Sequence, residues 1–175
     1  FDAKMREDLL DACRHDWSAV SPAIFGSLFQ SVMDAKERRA KGAHYTSEEN
    51  ILKVIGPLFL DDLREELEGL KARKTRRDNA LLEFQAKLSR LRFLDPACGC
   101  GNFLVVAYRE VRQLELEALQ ELYGDQRIDA ELMTRVTVDQ FYGIEYEEFP
   151  AMIAEVAMWM ADHIANNAIN EAFRL

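Results

Sequence analysis

Leu94-Asp95-Pro96-Ala97-Cys98-Gly99-Cys100-Gly101-Asn102-Phe103-Leu104 is the stretch that decides the fold. The apolar lead-in from Leu91 to Leu94 reads as a buried strand that ends on a carboxylate. Two glycines spaced one residue apart follow, then an asparagine and an amphipathic run. Strand, glycine turn, helix start is the order that brings a ligand close to backbone amides at the mouth of a parallel sheet. Glycine is required because a Cβ would block both the left-handed backbone and the approach.

Outward from this turn, helical periodicity dominates. Asn102 to Leu122 reads as a long helix with Phe103, Val106, Ala107, Val111, Leu114, Ala118 and Leu122 inward, ended by Tyr123-Gly124-Asp125. A second strand is expected in Phe141-Tyr142-Gly143-Ile144-Glu145. Phe149-Pro150 then opens a final helix with Ile153, Ala157, Met160, Ala161 and Ile164 at helical spacing. Upstream, Lys4 to His15 has Met5, Leu9, Leu10 and Cys13 on one face. A second helix follows Ser21-Pro22 with a stripe of Ile24, Phe25, Leu28, Phe29 and Val32. Thr46 is expected to cap the next helix through a box with Glu49. Ile51, Leu52, Ile55, Leu58, Phe59, Leu63, Leu67 and Leu70 form its buried face, and Pro57 is placed to bend it. A last helix spans about Asp78 to Leu88. Strands alternating with helices predict an α/β fold, with a parallel sheet and a right-handed crossover. Two strands make only part of a doubly wound sheet, so the fold expected is an incomplete, helix-dominated Rossmann-like domain.

The 175 residues carry a net charge of −9 and nearly half are apolar, which suits a single globular domain. A self-sufficient nucleic-acid binder usually shows a basic surplus. Here the basic runs Lys36 to Lys41 and Lys71 to Arg77 are short, and they read first as solvated ends. No apolar run approaches the roughly 18 residues that span a bilayer. Three cysteines without an export signal point to a reducing cytoplasm. The first residue, Phe1 rather than methionine, suggests a piece of a longer polypeptide.

The dinucleotide fingerprint needs a third glycine and an acid about 20 residues on. Leu104 stands at the third position and Glu145 is far beyond. Cys98-Gly99-Cys100 lacks the spacing of zinc ligands, and His15, His44 and His163 lie in separate segments. No metal is expected. Asp162 and His163, adjacent on a helix, point about 100° apart and make a poor acid–base dyad; a helix-end pair with tertiary contacts is the better reading.

The residues also carry a resemblance. Asp95-Pro96-Ala97-Cys98-Gly99-Cys100-Gly101-Asn102-Phe103 resembles the S-adenosylmethionine-binding signature of DNA amino-methyltransferases. Gly42-Ala43-His44-Tyr45-Thr46 resembles the motif that precedes it in the gamma order, and Phe141 to Glu145 resembles the strand ending in a ribose-binding acid. With Asp16-Trp17-Ser18 to Phe29 and Ala157 to His163 added, the chain is similar to the MmeI-like DNA methyltransferases, many of them fused restriction–modification enzymes. The resemblance places residues 1–40 at the end of a helical spacer and 41–175 in the N-terminal, cofactor-binding part of the methyltransferase domain.

It implies S-adenosyl-L-methionine as cofactor, with His44, Tyr45, Thr46, Asp95, Pro96, Ala97, Cys98, Gly99, Gly101, Asn102, Phe103, Glu145 and Tyr146 around it. Gly99 and Gly101 would admit the methionine part, Asp95 its ammonium group, and Glu145 the ribose hydroxyls. Tyr45 and Thr46 would close over the carboxylate or sulfonium, and Tyr146 would neighbour the adenine. Without the motif, Asp95 reads as a helix cap, Glu145 as a solvated strand end, and Phe103 and Ile144 as core. Cys100 replaces the serine of many relatives. The family's catalytic Asn/Asp-Pro-Pro-aromatic loop is missing, because Pro22, Pro57, Pro96 and Pro150 are never adjacent. No catalytic residue is therefore expected in this chain, which should be inactive alone. The loop and the target-recognition region are expected beyond Leu175, the remainder of the polypeptide includes the nuclease of fused members, and DNA would be bound through the full-length protein. The alternatives are a methyltransferase for proteins or small molecules, and a non-enzymatic assembly module.

Overall fold

The computed structural model describes residues 2–14, 24, 46–124 and 133–173. The first described helix, α1 (Ala3–Arg14), starts where Asp2 accepts a hydrogen bond from the Met5 amide at 2.7 Å. Its apolar stripe is uncovered among the described residues: Met5 and Leu9 are exposed and α1 buries none of its side chains. Of the stripe expected after Pro22, only Ile24 is described, in a helical conformation. No helix among the described residues is long and apolar enough to cross a membrane.

The helix α2 (Glu48–Ile55) corrects the expected cap. Ser47, not Thr46, is the N-cap, and no side chain caps the helix. Glu49 does not reach back to form a box; it pairs with Lys53 at 2.6 Å. At Pro57 the chain widens into a π turn at Gly56–Leu60, in which the Asp61 amide donates to the Gly56 carbonyl, five residues back. Proline has no N–H to give, and a π register absorbs the missing donor. The turn also shifts the phase of the buried face: Leu60 is fully buried, whereas Leu58, expected inside, is 71% exposed. The face then continues through Leu63, Leu67 and Leu70 of α3 (Asp61–Lys71).

After α4 (Arg77–Leu88) come β1 (Phe93–Asp95), α5 (Asn102–Tyr123), β2 (Phe141–Gly143) and α6 (Glu148–Ala172). The strands pair in parallel, Phe93 opposite Phe141 and Asp95 opposite Gly143. This is a Rossmann-like unit with two strands in a helix-dominated chain. Residues of α5 are buried on nearly every side, because the helix packs against α2, α3, α4, α6 and both strands. One sheet face is sealed by aromatic rings. Phe93 stacks on its register partner Phe141 at 4.6 Å, with Phe59 and Tyr108 tilted onto the pair at 4.9 and 5.2 Å. Offset and edge-on geometries suit the ring quadrupoles. The other face is open: Leu94, read as buried, is 63% exposed, as is Tyr142 at 50%. In α6 the inward residues are Ala154, Ala157, Ala161 and Ile169, whereas Met160 and Ile164 are partly exposed.

A buried polar network holds these layers in register. Glu115, wholly buried, accepts hydrogen bonds from Gln85 at 2.9 Å and from the Arg135 and Val136 amides. Arg112 lies 3.4 Å from Glu115 and donates to the Val136 carbonyl and to Asn166 of α6. Gln140 donates to the Leu88 and Leu91 carbonyls, tying the entrance of β2 to that of β1. Buried charges persist only when paired in this way.

Candidate functional site

The site lies where both strands end and α5 begins. The ladder continues past the strands: the Ile144 amide donates to the Asp95 carbonyl at 2.9 Å, and the Cys98 amide to the Ile144 carbonyl at 3.0 Å. The glycine turn is thereby stitched to the end of β2. Gly99 and Gly101 both have positive φ, +55° and +81°, the region that disfavours any residue with a Cβ.

Their surroundings differ. A Cβ on Gly99 would meet nothing within 4 Å, whereas one on Gly101 would lie 2.9 Å from the Ala154 Cβ of α6. Gly99 thus faces open space. Gly101 permits the close approach of α6, which the sequence reading, concerned with ligand access, did not foresee. Gly143 is a third close approach, since a Cβ there would stand 2.6 Å from the Cys98 sulfur. A glycine inside a strand is the signal that could have revealed it.

No side chain caps α5 at Gly101, so the amides of its first turn have no intrahelical acceptor. Asp95, whose motif-free reading was a cap, does not cap the helix; its Oδ1 accepts from the Ala97 amide at 3.1 Å in an Asx turn. The Glu145 carboxylate is fixed at both oxygens. Oε2 accepts from the Gly99 amide and Oε1 from the Glu147 amide, each at 2.9 Å. A carboxylate offers about four lone-pair sites, so both oxygens keep acceptor capacity.

Around this centre Pro96, Ala97 and Tyr146 are exposed, Tyr146 almost completely at 97%. Asn102 is half-buried, with its Oδ1 buried and without a partner. Phe103 packs against the core, as its motif-free reading holds. Ile144 does not: it is 57% exposed. Thr46 is half-buried, and His44 and Tyr45 lie outside the described residues. Beside Glu145, between β2 and α6, a cavity of about 310 Å³ is lined by Cys98, Gly143, Ala154, Met158 and Trp159.

Burial and the nearby carboxylate Glu145 push the Cys100 thiol up to about 11. Cys98 is raised for the same first reason, with Asp95 and Glu145 adding to it. Both are therefore thiols at neutral pH, weak as nucleophiles and as metal ligands. Among the described residues no cluster of three or more His, Cys, Asp or Glu side chains could hold a metal ion.

Asp162 and His163 do not form a dyad. The Tyr108 hydroxyl donates to Asp162, which also accepts from Asn166 at 3.2 Å, while exposed His163 faces Asn167. The pair lies inside α6 rather than at a helix end, because α6 runs on to Ala172.

Comparison with known proteins gives one consistent picture. Residues 70–175 match the family described as MmeI, DNA-methyltransferase domain. The chain is 38% identical to DNA methyltransferase A of Bacillus subtilis (strain 168), over 99% of this chain and 20% of that protein. It is 22% identical to a putative type II restriction enzyme and methyltransferase of Methanocaldococcus jannaschii, over 81% of this chain and 14% of that one. Among solved structures, the type IIL restriction–modification enzyme MmeI in complex with DNA superposes with a TM-score of 0.91. It shares 59% identity, across 100% of this chain and 23% of that chain. The chain thus spans a quarter or less of the length of these relatives.

Proposed function

The chain belongs to the MmeI DNA-methyltransferase-domain family, and from that premise we propose that it is the S-adenosylmethionine-binding portion of a DNA amino-methyltransferase acting on adenine rather than cytosine. The observation that carries this reading is the Gly99–Glu145 pairing. It joins a glycine turn facing open space to an acid that keeps acceptor capacity, at the carboxyl ends of two parallel strands. Ligands in open α/β sheets bind at such ends.

The residues present fit the cofactor. The uncapped amides of α5 suit the carboxylate of its amino-acid part, and the resemblance assigns His44, Tyr45 and Thr46 to the same part of the cofactor. Asp95 suits the ammonium group. Glu145 suits the two ribose hydroxyls, and the exposed Tyr146 ring suits the adenine. When bound, the cofactor supplies a methyl group on a sulfonium for transfer to an exocyclic amino nitrogen. This chain's share of that chemistry is binding and orientation. Gly99 and Glu147 hold the Glu145 carboxylate in one attitude, and the Asx turn at Asp95 sets the entry into the glycine turn.

Residues 1–40 we assign to a helical spacer and 41–175 to the cofactor-binding part. Presentation of a flipped base needs the Asn/Asp-Pro-Pro-aromatic loop, so the 175 residues are inactive by themselves. DNA, with which MmeI is seen in complex, is engaged through the rest of the polypeptide, including the target-recognition region and, in fused members, a nuclease. In this acidic chain Lys71 and Arg77 are already engaged by Glu117 and Glu121. The three free cysteines accord with a cytoplasmic setting. Nucleoside mass spectrometry of DNA treated with the full-length protein and cofactor tests the reading. N6-methyladenine is expected, with no product from residues 1–175 alone. N4-methylcytosine, or methyl transfer to protein only, contradicts it.

A further inference from the structure

Among the described residues β2 is paired along one edge only, the edge toward β1. Just past the strand, the Ile144 amide donates to Asp95 and the Ile144 carbonyl accepts from Cys98, so both groups face β1. Successive residues of a strand turn their backbone groups opposite ways. Gly143 therefore presents its amide and carbonyl, and Phe141 its carbonyl, on the far side. Natural edges are guarded by charge, by proline or by a bulge, and Phe141-Tyr142-Gly143 has neither charge nor proline.

This edge borders the cavity beside Glu145. Phe141 and Gly143 line it from the strand, and Ala154, Met158 and Trp159 from α6. Trp159 is 61% exposed and continues into an exposed stripe with Val156 and Met152, three and seven residues before it. Contiguous exposed apolar surface of this kind marks an interaction site. Edge and groove together select the shape of the occupant. An extended segment offers backbone groups to Gly143 and sends every second side chain toward one face, whereas a helix spends its own backbone groups internally.

We propose that the groove between β2 and α6 seats an extended segment from the rest of this protein's own polypeptide, paired to the outer edge of β2 and anchored on Trp159. The relatives supply the chain for it, since these residues correspond to 20% and 23% of the two longer proteins. The topology favours the same source. Both α5 and α6 pack on each other after their strands, and a right-handed crossover through α6 delivers the following chain to the outer edge of β2. A second copy is a poorer fit, because a stable interface needs about 1,000 Å² or more and this edge is three residues long. In the same polypeptide the segment is held at high effective concentration. Glu145 lines the groove as well, so the segment also walls the candidate site on that side.

The test uses the full-length protein without cofactor or DNA, and then with DNA. Trp159→p-benzoylphenylalanine, irradiated and digested, is expected to cross-link to a peptide of the same chain outside residues 1–175. In the unsubstituted protein, hydrogen exchange should find the Gly143 amide about a hundredfold or more slower than that of exposed Lys74. This second measurement decides the matter if the substituted protein does not fold. Cross-linking to a second copy or to DNA, or none from a folded variant, would overturn the proposal. So would a Gly143 amide that exchanges as fast as that of Lys74, or one that slows only when DNA is added.

Discussion

Replacing Gly99 and Gly101 by alanine, one at a time, separates two reasons for glycine in the same turn. Both positions have left-handed backbone, where an L-residue costs about 1 to 2 kcal/mol. Part of that, about 0.4 to 1 kcal/mol, is returned because alanine restricts the unfolded chain. With nothing within 4 Å of the new methyl, Gly99→Ala should lose only about 1 kcal/mol. At Gly101 the methyl would stand 2.9 Å from the Ala154 Cβ and 3.1 Å from its Cα. Backbone of α6 must then move, and overpacking of this kind costs a further 1 to 3 kcal/mol, roughly. Gly101→Ala should therefore be the less stable variant by about 2 kcal/mol, or about 4 to 8 °C in Tm for a domain of this size. Differential scanning calorimetry reads the stability, and titration with S-adenosylhomocysteine reads the site. Gly99→Ala should weaken binding by about tenfold or more, because its methyl fills the space the ligand takes. Equal stability of the two variants would refute the packing argument. Unchanged affinity in Gly99→Ala would refute the assignment of that open space to a ligand.

Other consequences are as direct. Glu115→Leu leaves buried Arg112 without its carboxylate and should cost about 3 to 5 kcal/mol in urea unfolding; a loss under 1 kcal/mol would mean the network is dispensable. On either side of the π turn, Leu60→Ala should cost about 2 to 5 kcal/mol, and Leu58→Ser, at an exposed position, within about 0.5 kcal/mol. The reverse order would restore a regular helix there. Cys100, titrating at about 11 instead of 9.0, carries roughly a hundredth of the ordinary thiolate at pH 8. Iodoacetamide followed by mass spectrometry should therefore label exposed Cys13 far ahead of it. The folded chain keeps the Cys100 proton that the unfolded chain releases near pH 9. Its contribution is thus intact below pH 9 and declines as the pH rises toward 11.

The strand–turn–helix order was legible because its signals are local. Apolar period, two glycines and a terminating Gly124 lie within one continuous stretch, and α5 follows them to within a residue. Partners distant in sequence left no such mark. Gln85 reaches Glu115 across 30 positions, and nothing near either residue announces the other. The same holds for Gly101 and Ala154, whose contact exists only once α6 folds back on the turn. Pro57 signalled an irregularity, and the π turn at Gly56–Leu60 is the form it takes. The motif residues pointed to a candidate site, whereas the bonds that orient Glu145 come from the backbone amides of Gly99 and Glu147, which carry no sequence signal.

Titration of the full-length protein with S-adenosylmethionine, beside its Glu145→Ala variant, tests the central claim most directly. One cofactor should bind per chain, and the variant should bind at least tenfold more weakly while keeping its fold by circular dichroism, since two charge-assisted contacts to the ribose are lost. Unchanged affinity in Glu145→Ala, or no binding by the unsubstituted protein, would contradict it.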